Sequence, residues 1–389
     1  MALYKFEKEV GQRDKIVKQQ RTAQNKKYFK REGSKMTDKK MKDGITRRNL
    51  VKGVAAGIGG AALLGLGAKK AAAAKGKVIK WRMQGYYPST AEAGKYAPMW
   101  AKAMTELSGG ELVVECAEPG AIVPTTEAFQ NVSNGTIDAC GSFGPFYRGV
   151  MPEVDIEAGL PFAWETPSEC HDGWYHRGLI EEFRKIYAEH NIFYCCPGYG
   201  NIMYGFSTVK PVRKPSDFKG MKIRDLGLSA DWVAHFGASP TSLPAGEMYM
   251  ALKMKTIEGV HYGVAVLEDL KLGEVCKYFL MEPNTGTCCM NIFISMKSYN
   301  ALPPDLKKLI KDYSLQVVLP VTVGWDEKRS LVEVQRKYGI EAIRWAKEDT
   351  DKARAYMIEK LWPKVAAKSA RCKRLVDIVV AQAKHYGKI

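Results

Sequence analysis

In the stretch FKGMKIRDLG, residues 218–227, Arg224 sits among Met221, Ile223 and Leu226, an apolar pattern that reads as a buried strand. A guanidinium stays charged inside a protein, and burying it unpaired is costly. Arg224 therefore needs an anion. Its fork of N–H groups pairs bidentately with carboxylates. Two partners are open on this evidence: a carboxylate or sulfonate on a ligand, or an internal acid such as Asp225 or Glu247.

The other reactive residues point away from catalysis. The chain carries no GxSxG, HExxH, Walker loop or GxGxxG. His171 and His176 in CHDGWYH are spaced too far apart for one helix face and read as a surface pair. His261 ends a predicted strand beside Tyr262, so a ligand hydrogen bond and a satisfied structural role are both open to it. The nine cysteines form no CxxC, CxxCH or zinc-finger spacing. The neighbours Cys195–Cys196 and Cys288–Cys289 would make strained disulfides. The thiols are expected to stay free and to pack as small hydrophobes.

These residues are positioned by alternating strands and helices. KVIKWRMQG (77–85) reads as a strand, 91–110 as a helix interrupted by Pro98, and ELVVECAEPG (111–120) as a second strand. A helix near 125–133 and the strand TIDACGSFG (136–144) follow. The alternation recurs in NIFYCCPG (191–198), MKIRDL (221–226), the helix ADWVAHFG (230–237) and TIEGVHYG (256–263), with FSTVKPVRKPSDFKG (206–220) as a Pro-punctuated connector. From Pro304 onward the pattern suits helices. Glu127 precedes Thr136-Ile137-Asp138 as Glu247 precedes Thr256-Ile257-Glu258, an internal echo. The fold class expected is α/β, with two Rossmann-like lobes and largely parallel sheets. Strand C-terminal ends open on the ligand crevice of such sheets. They would bring together Tyr86, Tyr87, Phe143, Phe146, Tyr147, Asn201, Tyr204, Arg224, His261 and Tyr262, an aromatic pocket with few polar groups.

The net charge of +17 suggests nucleic acid until it is located. Residues 1–74 hold 19 Lys+Arg and 6 Asp+Glu, which leaves 40 basic against 36 acidic residues in the body. No basic stripe remains there for a polyanion. The leader instead carries TRRNLVK (46–52), the apolar run GVAAGIGGAALLGLGA (53–68) and AAAA (71–74). That order is similar to a twin-arginine export signal cleaved near Ala74, and the apolar run is short for a membrane span.

The segments FKGMKIRDLG, HFGASPTSLPAGEMYMALKMKTIEGVHYG and FQNVSNGTIDACGS resemble the DctP-type substrate-binding proteins of TRAP transporters, across residues 77–315. With GAIVP (120–124), the pattern is most similar to members that bind 2-oxo acids and related monocarboxylates. The resemblance implies a non-catalytic periplasmic receptor of the periplasmic-binding-protein type II kind, with a hinge. Residues 75–200 and 288–328 would form lobe I, 201–287 lobe II, and 329–389 C-terminal helices across both. It would capture a small organic acid, such as a 2-oxo or 2-hydroxy monocarboxylate, and deliver it to membrane permease subunits driven by an ion gradient.

The family's carboxylate-clamping arginine matches Arg224, and Asn201 and Tyr204 are the nearest matches to a family amide. The resemblance also allows a homodimer through a long C-terminal helix. One departure matters. The 2-oxo acid binders hold a cation with a Glu-Trp pair and a later acid, whereas this chain has His261-Tyr262 at the pair and no aligned acid in PNTGTCC (283–289). A hard cation needs oxygen ligands, so no metal and no cofactor are expected. His261 would instead donate directly to the ligand, which could then be a sulfonate or an aromatic acid. The competing readings are a twin-arginine-exported enzyme and a scaffold using the C-terminal helices.

Overall fold

The computed structural model describes residues 78–200, 203–323 and 327–389. The leader with its twin-arginine pattern, and Asn201, lie outside the described residues. The architecture is two-lobed α/β, built on two sheets. The first comprises β1 (Ile79–Gln84), β2 (Leu112–Ala117), β3 (Ala139–Ser142), β4 (Ile192–Tyr199) and β10 (Cys289–Ser295), in the order β2-β1-β3-β10-β4. The second comprises β5 (Tyr204–Thr208), β6 (Lys222–Arg224), β7 (Ser239–Thr241), β8 (Gly259–Gly263), β9 (Tyr278–Glu282) and β11 (Glu341–Arg344), in the order β11-β9-β5-β8-β6-β7. The chain passes from the first sheet to the second between Tyr199 and Tyr204 and returns between Glu282 and Cys289.

The sheets are mixed rather than largely parallel. β1 runs parallel to β2 and β3, but β10 is antiparallel to β3 and β4. β6 is parallel to β7 and β8, whereas β5 is antiparallel to β8 and β9. β5 and β10 are the first strands to enter each sheet from the other, and each runs against its neighbours; β11, which rejoins the second sheet later, runs parallel to β9. Two other expectations need correction. The start of the 206–220 connector is strand β5, and the C-terminal segment is not all helical, because Glu341–Arg344 pairs in parallel with β9. Good helix formers are pulled into a strand there by the open edge beside them, a tertiary override of local preference.

Helix α1 (Tyr96–Leu107) shows how the elements form. Tyr96, Ala97, Trp100, Ala101 and Met104 make one buried stripe at helical spacing. Pro98 falls in the first turn, where its missing N–H has no intrahelical partner to lose, so it does not break the helix. The internal echo is a structural repeat. Thr136 N donates to Asn131 O and Thr256 N to Ala251 O, at 2.8 and 3.0 Å. Ile137 and Ile257 are then buried in equivalent places. The acids that follow bind the neighbouring strand: Asp138 accepts from Arg82 N, and Glu258 from Lys222 N.

The C-terminal helices touch both halves. Trp232 Nε1, in helix α2 (Gly227–His235), donates to Ala353 O at 2.9 Å. Helix α3 (Ala370–His385) places Gln382 between Trp164 Nε1 (2.8 Å) and Glu169 O (2.7 Å). Seven of the nine thiols are buried and none is in a disulfide.

Candidate functional site

Arg224 ends β6, the strand between β7 and β8, and is 2% exposed. Its Nε–H donates to Leu243 O at 3.0 Å and one terminal N–H donates to His261 O at 3.4 Å. Its guanidinium carbon sits 5.7 Å from the ring centre of Tyr262, a cation–π distance. A guanidinium has five N–H donors, so three remain. Among the described residues no carboxylate lies within salt-bridge distance of it. The internal partners considered from the sequence are thus set aside. Asp225 faces elsewhere, and Glu247 makes no ion pair with Arg224.

Asp225 is engaged by His261. The imidazole Nδ1 is 2.9 Å from Asp225 Oδ1, and Nε2 is 3.0 Å from Thr285 Oγ1. The same Oδ1 accepts from Leu226 N and from the Ser229 hydroxyl. His261 stacks on Phe206 with centroids 4.2 Å apart and meets the edge of Tyr204 at 4.6 Å. Both ring nitrogens are therefore occupied by protein. This corrects the expectation that His261 donates directly to a ligand: its imidazole positions Asp225 and Thr285, and its carbonyl holds Arg224.

A cavity of about 40 Å³ opens here, lined by Phe143, Asp155, Tyr204, Arg224, Asp225, His261, Thr285 and Thr287 among others. That is room for roughly three waters, the scale of a very small ligand in a closed cleft. The aromatic side is continuous. Tyr86 meets Tyr87 at 4.2 Å, Tyr87 meets Tyr262 at 5.8 Å, and Tyr262 meets Tyr204 at 5.9 Å. Phe143 and Phe146 flank Tyr86 at 6.4 and 5.2 Å. Burial pushes the phenols of Tyr86, Tyr87, Tyr204 and Tyr262 well up, so each is a neutral hydroxyl at any ordinary pH. The Arg224 guanidinium pulls Tyr86 the other way, by less than burial raises it. The Tyr86 hydroxyl nevertheless meets no hydrogen-bond geometry among the described residues.

Of the residues picked from the sequence, Arg224, Tyr204, His261 and Phe143 line the cavity, and Tyr86, Tyr87, Tyr262 and Phe146 join them ring to ring. Tyr147 does not. Its hydroxyl is 2.7 Å from that of Tyr187 and accepts from Asn291 at 2.8 Å, inside the first lobe beside Glu157. It lies in the short 3-10 turn Gly144–Tyr147 that follows β3, and its side chain turns into the core and stacks on Phe129 at 4.4 Å.

The sequence reading missed Asp155, Thr285 and Thr287. The PNTGTCC segment carries no acid, and its contribution is two hydroxyls. Gly286 separates them at φ +94°, and a Cβ there would lie 2.3 Å from Trp164 O. Only glycine lets the backbone pass so close. Among the described residues, no group of three or more His, Cys, Asp or Glu side chains is arranged to hold a metal ion.

Residues 84–369 match the model of the bacterial extracellular solute-binding proteins, family 7 (DctP). A monocarboxylate 2-oxoacid-binding periplasmic protein of Nostoc sp. is 24% identical over 255 residues, 64% of this chain and 68% of the relative. A TRAP periplasmic solute-binding protein of Pseudoalteromonas atlantica T6c, solved with bound sodium and pyruvate, superposes with a TM-score of 0.74 at 20% identity, over 80% of this chain and 95% of that one. A TRAP periplasmic solute-binding protein of Chromohalobacter salexigens DSM 3043, solved with bound (S)-(+)-2-amino-1-propanol, gives a TM-score of 0.71 at 23% identity, over 80% and 96%. These likenesses show the two-lobed fold.

Proposed function

The chain belongs to family 7 of the bacterial extracellular solute-binding proteins, and from that premise we propose that it is the periplasmic receptor of a TRAP transporter, clamping a small organic acid on Arg224 and delivering it to a membrane permease driven by an ion gradient. The family is one of binding proteins, so the reading as an exported enzyme falls away. One observation carries the proposal: a guanidinium 2% exposed, with three N–H groups and no carboxylate partner among the described residues, faces a cavity. A ligand carboxylate supplies the missing anion. The 2-oxoacid of the Nostoc relative and the pyruvate of the P. atlantica protein support that choice of group.

In this reading Tyr86, Tyr87, Tyr204, Tyr262, Phe143 and Phe146 form the wall that excludes water from the clamp. Residues 75–200 with 288–328 make lobe I and 201–287 lobe II, with the crossings between sheets as the hinge. Residues 329–389 span both lobes. The leader exports the folded protein by the twin-arginine route. No described helix is long and apolar enough to cross a membrane.

A thermal-shift screen of small carboxylates tests the clamp. A ligand that binds only the native state stabilises it by about 2.7 kcal/mol at a hundredfold excess over Kd. An acid that raises Tm in the parent and not in Arg224→Ala supports the reading. No shift with any acid, or a shift that survives Arg224→Ala, overturns it.

A further inference from the structure

The cavity beside Arg224 is walled by acceptors as well as donors. Asp155 is 1% exposed. Its Oδ2 accepts from Arg148 Nε at 2.8 Å and from Lys368 Nζ at 2.9 Å. Its Oδ1 meets no partner among the described residues. That oxygen lies beside Gly227, where a Cβ would come within 3.4 Å of it, and both residues line the cavity. Asp225, 4% exposed, repeats the pattern: Oδ1 takes three bonds and Oδ2 takes none. Thr287 Oγ1 is likewise buried and without a partner.

Two carboxylate oxygens from separate segments are thus left with open lone pairs around the cavity that Arg224 enters. Buried polar groups are normally satisfied, and a buried acceptor left unmet carries its desolvation cost. A 2-oxo acid on its own cannot meet them. Its carboxylate satisfies Arg224, but its keto oxygen is one more acceptor set against carboxylates. An ammonium or hydroxyl next to the carboxylate is the complement, through charge-assisted bonds to Asp155 and Asp225.

Resting on the reading of Arg224 as the carboxylate clamp, we infer that the ligand bears a hydrogen-bond donor beside its carboxylate, as a small amino or hydroxy acid does, rather than a keto group. Sites that hydrogen-bond a substrate donor reject the analogue lacking it strongly. The preference therefore belongs to the unmodified protein and is read without any substitution.

The experiment is calorimetric titration of the purified protein with alanine, lactate, pyruvate and propionate, and with their four- and five-carbon homologues. Each titration is run with and without added sodium and calcium. All members of a set share the carboxylate and differ only in the neighbouring group. The expected result is that the amino or the hydroxy acid binds at least tenfold more tightly than the oxo and unsubstituted acids. Which of the two is tighter identifies the donor as ammonium or hydroxyl.

Asp155→Asn, which can turn an N–H into the cavity, should narrow the gap to the oxo acid at least fivefold, provided its far-UV spectrum and Tm match a folded protein. Oxo-acid binding as tight as or tighter than that of the donor-bearing acids, with or without a cation, overturns this inference and leaves the Arg224 clamp standing. Absence of binding across every set, together with an unchanged Arg224→Ala protein, overturns the clamp and the inference together.

Discussion

The carboxylate of Asp225 pairs with the imidazole of His261 at 2.9 Å and not with the guanidinium of Arg224, its neighbour in the chain. This leaves the two residues with different work. Asp225 is fixed through Oδ1 by His261, Ser229 and Leu226 N, which leaves its Oδ2 open. Arg224 is held by two backbone carbonyls, which fix its direction without neutralising it. A positive group held in place and short of an anion is what a carboxylate receptor requires.

The first prediction follows from that arrangement. Arg224→Lys keeps the charge but loses the planar fork. Ligand affinity should fall at least tenfold in Arg224→Lys and at least a hundredfold in Arg224→Ala, as read by calorimetry. Equal affinity in the lysine variant would mean that charge alone holds the ligand.

The second concerns His261. Removing the imidazole leaves a buried oxygen of Asp225 and the Thr285 hydroxyl each short of a hydrogen-bond partner, at about 1–3 kcal/mol. His261→Ala should therefore lower stability in urea denaturation by an amount of that order, besides weakening binding. An effect on binding alone, with stability unchanged, would show that the imidazole touches the ligand after all.

Much of this site was legible in advance. Arg224 stood out because a charge in an apolar strand needs a reason, and the aromatic positions followed from where strands end. The repeated acid–Thr–Ile pattern announced two similar halves, and the paired turns at Thr136 and Thr256 carry it. What failed depended on direction or on distant pairing. Tyr147 and Phe146 are one residue apart, yet one hydroxyl enters the core network of Glu157 while the other ring flanks Tyr86. Spacing cannot tell these apart. Strand β11 exists because β9 offers an edge, and Asp155 reaches the cavity because Arg148 and Lys368 hold its other oxygen. The β9 edge and Lys368 are both distant in the sequence from what they position.

The third prediction concerns closure. Arg148 bonds Asp155 on one side and Asp231, in α2, on the other. Asp231 is about half exposed, so the pair is worth no more than about 1 kcal/mol. If it ties the closed form, Asp231→Ala should raise the ligand dissociation rate two- to fivefold in stopped-flow measurements, with little change in Tm and a smaller effect at high salt. A dissociation rate indifferent to the substitution would place the tie outside the closing motion.

The fourth concerns pH. Glu157 is buried within the first lobe, where Tyr187 donates to Oε2 at 2.6 Å and Asn291 donates to Oε1. Burial pushes its carboxyl up to about 7, and the hydrogen bonds pull it back by less. The folded state then holds a proton that the unfolded chain, with an ordinary carboxyl near 4.5, has released. Between those values the folded protein binds more protons, so stability falls as pH rises. The loss is complete above the folded value and amounts to about 3 kcal/mol. Glu157→Gln removes the titrating group while keeping its shape. The variant should gain on the parent as pH rises from 5 to 8 in urea denaturation, and the gap should close again at pH 5. Parallel profiles for the two proteins would mean that Glu157 keeps its proton, or its charge, throughout the range.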